Sequence, residues 1–146
     1  MADSSVLVDS SLWIEALRSS APDALRRMLG ALVEANHVVI TEMIRLEVIA
    51  GARSSEEFAS FRADFEALRC LPTTPRAWQD AEELSLSLGR RGARVPAADL
   101  LIAAVAIAHG VPLWHADRDF ERVRKTVPGL RTFWHPHQTP PFILPS

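Results

Sequence analysis

Short apolar runs alternate with longer amphipathic stretches along this chain. The triplets Val6–Val8 and Val38–Ile40 contain no polar residue, a pattern typical of strands that are buried on both faces of a parallel sheet. Further short strands are expected at residues 70–71, within residues 111–115 and within residues 130–134. The pattern therefore predicts four to five strands.

The segments between these strands carry apolar side chains at three- and four-residue spacing, as helices do when one face lies on a core. Ser10 and Ser11 are expected to cap a helix that begins near Leu12. Thr41 should cap another helix, with Gly51 as its C′ residue. The remaining helices are expected from Pro22 onward, around Phe58, Phe61, Phe65 and Leu68, from Pro75 to Gly89, from Ala97 to His109, and over residues 117–125.

The alternation of strands and helices predicts an α/β fold with an open, mostly parallel sheet and right-handed crossovers. In such sheets ligands bind at the carboxyl ends of the strands. No repeat or linker divides residues 1–134, which are expected to form one domain. The remaining tail, residues 135–146, contains four prolines and is expected to be irregular, with Phe142 and Ile143 packed against the domain.

Composition narrows the class of protein. The chain has 146 residues, of which 48% are apolar and 23% charged, a globular balance. Its net charge of −2 argues against a protein that coats nucleic acid through bulk positive charge, although a local basic patch stays possible. Cys70 is the only cysteine, so neither an intrachain disulfide nor a cysteine-based zinc cluster can form.

The chain also lacks the usual sequence signs of export or membrane insertion. The first residues have no basic region followed by an apolar run, as a signal peptide would. The longest apolar stretch, residues 100–108, is far shorter than the roughly 20 residues that a membrane span needs. A cytoplasmic protein with no membrane partner is therefore expected.

Several acidic residues follow predicted strands or begin predicted helices. Asp9 and Asp117 each come after a strand, at the edge where ligands bind. Asp99 is the only charged side chain between Arg94 and His109, at the start of an apolar helix. Glu47 lies in the helix after the second strand.

Each of these acids also has a purely structural interpretation. Asp9, Asp117 and Asp119 could cap helices, and Asp99 could interact with a helix dipole. Glu47 could form a salt bridge with Arg45 or Arg53.

The four acids together point to a metal site. If the first strand is central, Asp9, Glu47, Asp99 and Asp117 can converge on one pocket, where unneutralised carboxylates would raise one another's pKa. A divalent cation removes that repulsion, and ligation by oxygen alone selects Mg²⁺ or Mn²⁺ over zinc. Such a site is suited to hydrolysing phosphodiester bonds.

Four segments give the chain a family resemblance over residues 6 to about 133. They read VLVDSSLWI (6–14), TEMIRLEVIAG (41–51), PAADLLIAA (96–104) and LWHADRDF (113–120). In this order and spacing they resemble the motifs of PIN-domain nucleases, in particular the VapC-type toxins of bacterial toxin–antitoxin pairs. The resemblance implies a PIN-like three-layer α/β/α fold around the parallel sheet.

The resemblance also implies roles for individual residues. Asp9, Glu47, Asp99 and Asp117 fall on the acidic quartet that binds Mg²⁺ or Mn²⁺ and carries catalysis. Three further residues fall on auxiliary positions: Asp119 on an acidic one, Ser11 on a small polar one, and Thr41 on a hydroxyl at the end of the second strand. His115 departs from the pattern, because many relatives carry Thr or Ser there; packing or a backbone hydrogen bond is its expected role, not metal ligation.

The activity that the resemblance implies is metal-dependent cleavage of RNA by an endoribonuclease, the toxin of a toxin–antitoxin pair. It further implies a homodimer and a small antitoxin that covers the active site.

Clustered arginines offer a candidate surface for the RNA substrate. Arg90, Arg91 and Arg94 precede the helix of Asp99, and Arg118 follows Asp117, together with Arg122 and Arg124. Both groups could contact phosphates beside an acidic pocket. Charge-balanced, solvated surfaces are the alternative interpretation.

Specific residues argue against two other functions. A receiver-type signalling domain needs a lysine near its phosphoryl site, but the only lysine is Lys125. A haloacid-dehalogenase-type phosphatase needs Asp-x-Asp after the first strand, where this chain has Asp9-Ser10-Ser11. A non-catalytic RNA- or protein-binding PIN-like domain and a metal-dependent DNA nuclease both remain open at this point.

Overall fold

The computed structural model describes residues 4–141 and contains one five-stranded sheet. All four strand pairings are parallel, as the alternating pattern predicted. The strands are β1 (Val6–Val8), β2 (Val38–Ile40), β3 (Arg69–Cys70), β4 (Leu113–His115) and β5 (Thr132–Trp134). Their order is β3-β2-β1-β4-β5, so β1 is central.

Helices connect the strands and cover both faces of the sheet, which gives three α/β/α layers. They are α1 (Ser10–Leu17), α2 (Asp23–Glu34), α3 (Glu42–Ala50), α4 (Ser55–Glu66), α5 (Pro75–Gly89), α6 (Ala97–His109) and α7 (Arg118–Thr126). The prediction of α6 as a buried helix is confirmed, because every residue from 99 to 106 is buried. Gly110 ends this helix with φ of 63°, in the left-handed region that glycine adopts readily.

The register of the central strand brings distant segments to one edge. Leu7 of β1 lies beside Val39 on one side and Leu113 on the other, and all three side chains are fully or almost fully buried. The ladder continues one step further, since the Asp9 N–H donates to the Trp114 carbonyl at 2.9 Å. The chain leaving β1 therefore runs directly beside the chain leaving β4.

The structure corrects some of the predicted boundaries. Helix α1 begins at Ser10 instead of near Leu12, and Asp9 is its N-cap, so the prediction that Ser10 and Ser11 cap this helix is wrong. Gly51 has φ of −87°, outside the left-handed region usual at a C′ position, because α3 ends in a tight turn from the Gly51 N–H to the Val48 carbonyl. Strand β3 begins one residue earlier than expected, at Arg69.

The tail was expected to be irregular, and residues 135–141 contain neither helix nor strand. Phe142 and Ile143, which were expected to pack on the domain, lie outside the described residues. Among residues 4–141, no helix has both the length and the apolar character needed to cross a membrane.

Candidate active site

Asp9 places a buried carboxylate at the end of the central strand. Its side chain is 2% exposed, and its Oδ2 accepts hydrogen bonds from the Ser11 N–H at 3.0 Å and the Ser11 hydroxyl at 2.5 Å. Its Oδ1 is buried and has no hydrogen-bond partner among residues 4–141. Burial raises the pKa of Asp9 above its usual range, against the opposing effect of the Ser11 hydrogen bonds. Asp9 thus caps the helix through Oδ2, while its Oδ1 is available to another ligand.

Ser11 joins the ends of β1 and β4. Its hydroxyl donates to Asp9, and its oxygen accepts from the Ala116 N–H at 3.0 Å. The segment after β4, which carries Asp117, is therefore tied to the first turn of α1. This gives Ser11, an expected auxiliary residue, a definite structural task.

Replacement of Ser11 by alanine should destabilise this junction. In Ser11→Ala the Ala116 N–H loses its acceptor and Asp9 loses a donor, so we expect the free energy of unfolding to fall by about 1–2 kcal/mol. Chemical denaturation would measure the loss. Ser60→Ala, at an exposed position in α4, is the matched control and should change stability by less than about 0.5 kcal/mol. Equal losses in the two variants would contradict the structural task of Ser11.

Asp117 and Asp119 stand where α7 begins. Asp117 is the N-cap of this helix, and its Oδ1 accepts from the Asp119 N–H at 2.9 Å. Asp119 accepts a hydrogen bond from the guanidinium of Arg122 at 3.2 Å. Oxygen atoms of Asp99, Asp117 and Asp119 all lie within 4.8 Å of one another. Three carboxylates from two helix starts therefore form one cluster.

Asp99 is the acid most perturbed by its surroundings. It lies in the first turn of α6 and is 7% exposed. Burial, a hydrogen bond with the Asp117 side chain, and the charges of Asp117, Asp9 and Glu47 raise its pKa to about 8. At neutral pH, without a cation, Asp99 therefore retains its proton.

Helix α3 supplies Glu47 to the same edge. Thr41 caps this helix as predicted, since its buried hydroxyl accepts from the Ile44 N–H at 3.2 Å. Glu47 Oε1 accepts a hydrogen bond from the Ser10 hydroxyl at 3.1 Å. Burial and the negative charges of Asp9 and Asp117 raise the pKa of Glu47.

The alternative interpretation of Glu47 as a salt-bridge partner is wrong. Within residues 4–141, Glu47 has no ion pair with Arg45 or Arg53, and Arg45 pairs instead with Glu66 at 3.6 Å. The carboxylate of Glu47 is left facing other acids without a compensating cation.

The expected quartet is thus brought to one edge, but not as a symmetrical group. The charges of Asp9 and Asp117 raise the pKa of Glu47, and the charges of Asp117, Asp9 and Glu47 raise the pKa of Asp99. The tight cluster, however, contains Asp119 together with Asp99 and Asp117. The Asp-x-Asp spacing at residues 117–119 is the sequence signal for this closeness, because a cap and the second residue after it lie in the same helical turn.

These residues fit a hard divalent cation. All of the candidate ligands are carboxylate oxygens, the type of ligand that Mg²⁺ and Mn²⁺ prefer. Asp9 has an Oδ1 without a hydrogen-bond partner among residues 4–141, and Asp99 holds a proton because of its raised pKa. A bound cation would supply the missing partner of Asp9 and displace the proton of Asp99.

His115 fixes the backbone of Asp117 through a hydrogen bond. Its Nδ1 accepts from the Asp117 N–H at 3.1 Å, so the ring proton is on Nε2, which donates to Glu121 Oε2 at 2.8 Å. Burial lowers the pKa of His115 and so favours the neutral ring, although the hydrogen bond to Glu121 and its charge act in the opposite direction. The expected packing and backbone-bonding role of His115 is confirmed.

Glu121 was missed by the sequence reasoning. It is 7% exposed, and it accepts hydrogen bonds from Arg124 at 2.8 Å and from Thr132 at 2.7 Å besides that of His115. These donors outweigh the effect of burial and lower its pKa. Its place between the buried residues Phe120 and Val123 was the only signal available in the sequence.

The candidate RNA-binding arginines are all on the surface. Arg90, Arg91, Arg94 and Arg118 are exposed. Arg94 lines a groove that also includes Asp119, whereas Arg118 directly follows Asp117 at the start of α7. Two other arginines fit the alternative interpretation as a charge-balanced surface, because Arg122 pairs with Asp119 and Arg124 pairs with Glu121.

Comparison with known proteins gives a consistent picture. The family model described as "PIN domain" matches residues 6–126. Ribonuclease VapC18 of Mycobacterium tuberculosis is 34% identical over 131 residues, covering 87% of this chain and 92% of the relative. Ribonuclease VapC21 of the same species is 36% identical over 113 residues, covering 74% and 80%. The solved structure of DNA-bound VapBC from Salmonella typhimurium superposes with a TM-score of 0.73 at 22% identity, covering 88% of this chain and 96% of that one.

Proposed function

This chain belongs to the PIN-domain family, and from that premise we propose that it is a divalent-metal-dependent endoribonuclease, the toxin of a toxin–antitoxin pair. The observation that carries the proposal is the convergence of carboxylates at the carboxyl edge of the sheet, three of them within 4.8 Å. Of these acids only Asp119 has a salt bridge within residues 4–141, to Arg122. Acids that lie together without cationic partners are costly for a fold and are useful where a cation binds. A non-catalytic domain of this fold would not require it.

The proposed roles follow from the positions of the acids. Asp9, Asp99 and Asp117 would hold Mg²⁺ or Mn²⁺, and Glu47 would hold the cation or a water molecule beside it, with Asp119 as an auxiliary acid. When bound, the cation supplies charge neutralisation and polarises a phosphate oxygen. The rest of the site consists of oriented side chains: Ser11 fixes Asp9, Ser10 fixes Glu47, and His115 fixes the backbone of Asp117.

The substrate would approach over the exposed arginines. Arg90, Arg91, Arg94 and Arg118 lie on the segments that precede α6 and begin α7, the two helices that carry Asp99 and Asp117. Contacts from these guanidinium groups to backbone phosphates would position an RNA strand without selecting its sequence. Because such contacts depend on charge, binding should weaken as the salt concentration rises.

The proposed partners are those of a toxin. A small antitoxin would cover the acidic site, and the toxin would act in the cytoplasm as a homodimer. Related solved structures, such as the VapBC complex from Salmonella typhimurium, support a paired antitoxin. Residues 1–134 would form the nuclease domain, and residues 135–146 an appended tail.

Incubation of the purified protein with total RNA tests the proposal directly. In Mg²⁺ or Mn²⁺ we expect discrete cut sites, and in EDTA we expect none, with activity restored by excess Mn²⁺. A parallel incubation with single-stranded and duplex DNA separates this function from a DNA nuclease. Cleavage that resists EDTA, or cleavage of DNA in preference to RNA, would contradict the proposal.

A further inference from the structure

A groove runs along one side of the acidic cluster. It has a volume of about 750 Å³ and lies between the end of α5, the loop before α6 and the first turns of α7. Its floor is apolar, with Leu88 and Leu100 buried beneath it and Val95 beside them. This volume is within the range of sites that hold small organic ligands.

The groove shares one wall with the acidic cluster. Asp119 lines the groove and is also one of the three acids whose oxygens lie within 4.8 Å of one another. A strand with one phosphate at the cluster would therefore place a neighbouring nucleotide in the groove. The shared residue Asp119 would let the next segment of the substrate pass from the reactive site into this space.

The charges of the groove suit a phosphodiester strand. Arg94 and Arg122 both line it, against the single carboxylate of Asp119. Arg122 is paired with Asp119 at 3.2 Å, whereas Arg94 has no salt bridge within the described residues 4–141. The groove thus has an excess of positive charge and an apolar floor. The charge complements the negative phosphate of a nucleotide, and the floor complements its flat base.

We propose that this groove is a subsite for the nucleotide next to the scissile phosphate, with its base on the floor of Leu88, Val95 and Leu100 and its phosphate against Arg94. The inference rests on the proposed ribonuclease function and adds to it the place where base preference arises. No aromatic residue lines the groove within the described part of the chain, so the base would contact aliphatic side chains and the plane of a guanidinium.

Gly89 allows the groove to be filled without disturbing the fold. It is the last residue of α5 and lines the groove, and a Cβ placed on it would meet no atom within 4 Å. Gly89→Leu therefore blocks the apolar floor, and Arg94→Ala removes the free positive charge. Gly30→Leu is the matched control for the first change, since Gly30 is also helical with open space at its Cβ, in α2. Arg27→Ala, at an exposed position in α2, is the control for the second.

Binding can be measured apart from cleavage by placing each change in the full-length Asp9→Asn protein, with Mg²⁺ and a labelled single-stranded RNA of mixed sequence. Gly89→Leu should weaken binding about tenfold and leave the salt dependence unchanged, because it removes contacts with a base and none with a phosphate. Arg94→Ala should weaken binding about fivefold and lower the slope of log K against log salt by about 0.7, the contribution of one phosphate on a single strand. Both controls should bind like the Asp9→Asn parent.

Cut-site mapping with the corresponding variants of the active protein provides the second measurement. Gly89→Leu should raise KM about tenfold and relax the base preference at one position beside the cut. Unchanged binding, KM and cut sites for both groove variants, in a wild-type protein that cleaves RNA, would overturn the subsite and leave the proposed function intact. A wild-type protein that cleaves no RNA would instead refute the proposed function, while the binding series would still test the groove.

Discussion

Replacement of Asp9 by asparagine is expected to lower the rate of RNA cleavage at least about a thousandfold, equivalent to roughly 4 kcal/mol of transition-state stabilisation. Asparagine removes the negative charge from a carboxylate whose buried Oδ1 has no hydrogen-bond partner among residues 4–141, and with it one proposed ligand for a cation. An amide oxygen can still accept the two hydrogen bonds from Ser11, so the cap of α1 is kept. The Asp9→Asn protein should therefore lose activity and keep its fold.

The measurement is single-turnover cleavage of a defined RNA in Mn²⁺, with thermal unfolding recorded on the same samples. In EDTA the Asp9→Asn protein should unfold within a few degrees of the wild type, because the buried charge that it loses costs stability. The control is Asp23→Asn, which changes an exposed acid in the first turn of α2 that is far from the cluster along the chain, and it should cleave normally. Wild-type cleavage by Asp9→Asn would refute the proposed metal site.

The elements that the sequence predicts well are those buried on all sides. Strands β1 and β2 were predicted to the residue, because a wholly apolar triplet that leads into a helix is typical of a strand buried on both faces of a parallel sheet. The cap of α1 was assigned wrongly because Asp9, Ser10 and Ser11 are all good capping residues. The choice among them depends on a tertiary contact, the hydrogen bond from the Asp9 N–H to the Trp114 carbonyl, which ends the strand one residue before the helix begins.

The site was predictable to the extent that topology fixes it. Asp9 and Asp117 follow neighbouring parallel strands, so the order of strands alone brings their carboxyl ends together. The contact between His115 and Glu121 could not be predicted, because it depends on how sharply the chain turns from β4 into α7. A ring nitrogen of His115 accepts the hydrogen bond of the Asp117 N–H, which fixes the backbone that carries this acid.

The acids that are proposed to bind the cation should also lower the stability of the metal-free protein. Asp99 lies among Asp117, Asp9 and Glu47, and burial and these neighbours raise its pKa. Removal of the carboxylate should therefore make the metal-free protein more stable, even though it removes a proposed metal ligand. The largest effect on stability is expected at Asp99 for this reason.

We expect metal-free Asp99→Asn to be more stable than the wild type by about 2–5 kcal/mol near pH 8, and nearly equal to it near pH 4. The pKa of Asp99 is about 8 in the folded protein, against 3.8 in the unfolded chain. Between these two pH values Asp99 is ionised in the unfolded chain but still protonated in the folded protein. A rise in pH therefore favours the unfolded chain, and the wild-type free energy of unfolding falls. Asparagine has no proton to lose and can donate a hydrogen bond to Asp117. The variant therefore lacks both the fall in the free energy of unfolding with pH and the cost of a buried charge at position 99.

Denaturant unfolding in EDTA across this pH range measures the difference, and added Mg²⁺ gives the complementary result. The cation should stabilise the wild type most at high pH, where the carboxylates have lost their protons, and should stabilise Asp99→Asn much less. Asp64→Asn, at an exposed position in α4, should follow the wild type in both series. A metal-free Asp99→Asn protein that is less stable than the wild type near pH 8 would mean that the cluster does not carry the repulsion that a cation is proposed to relieve.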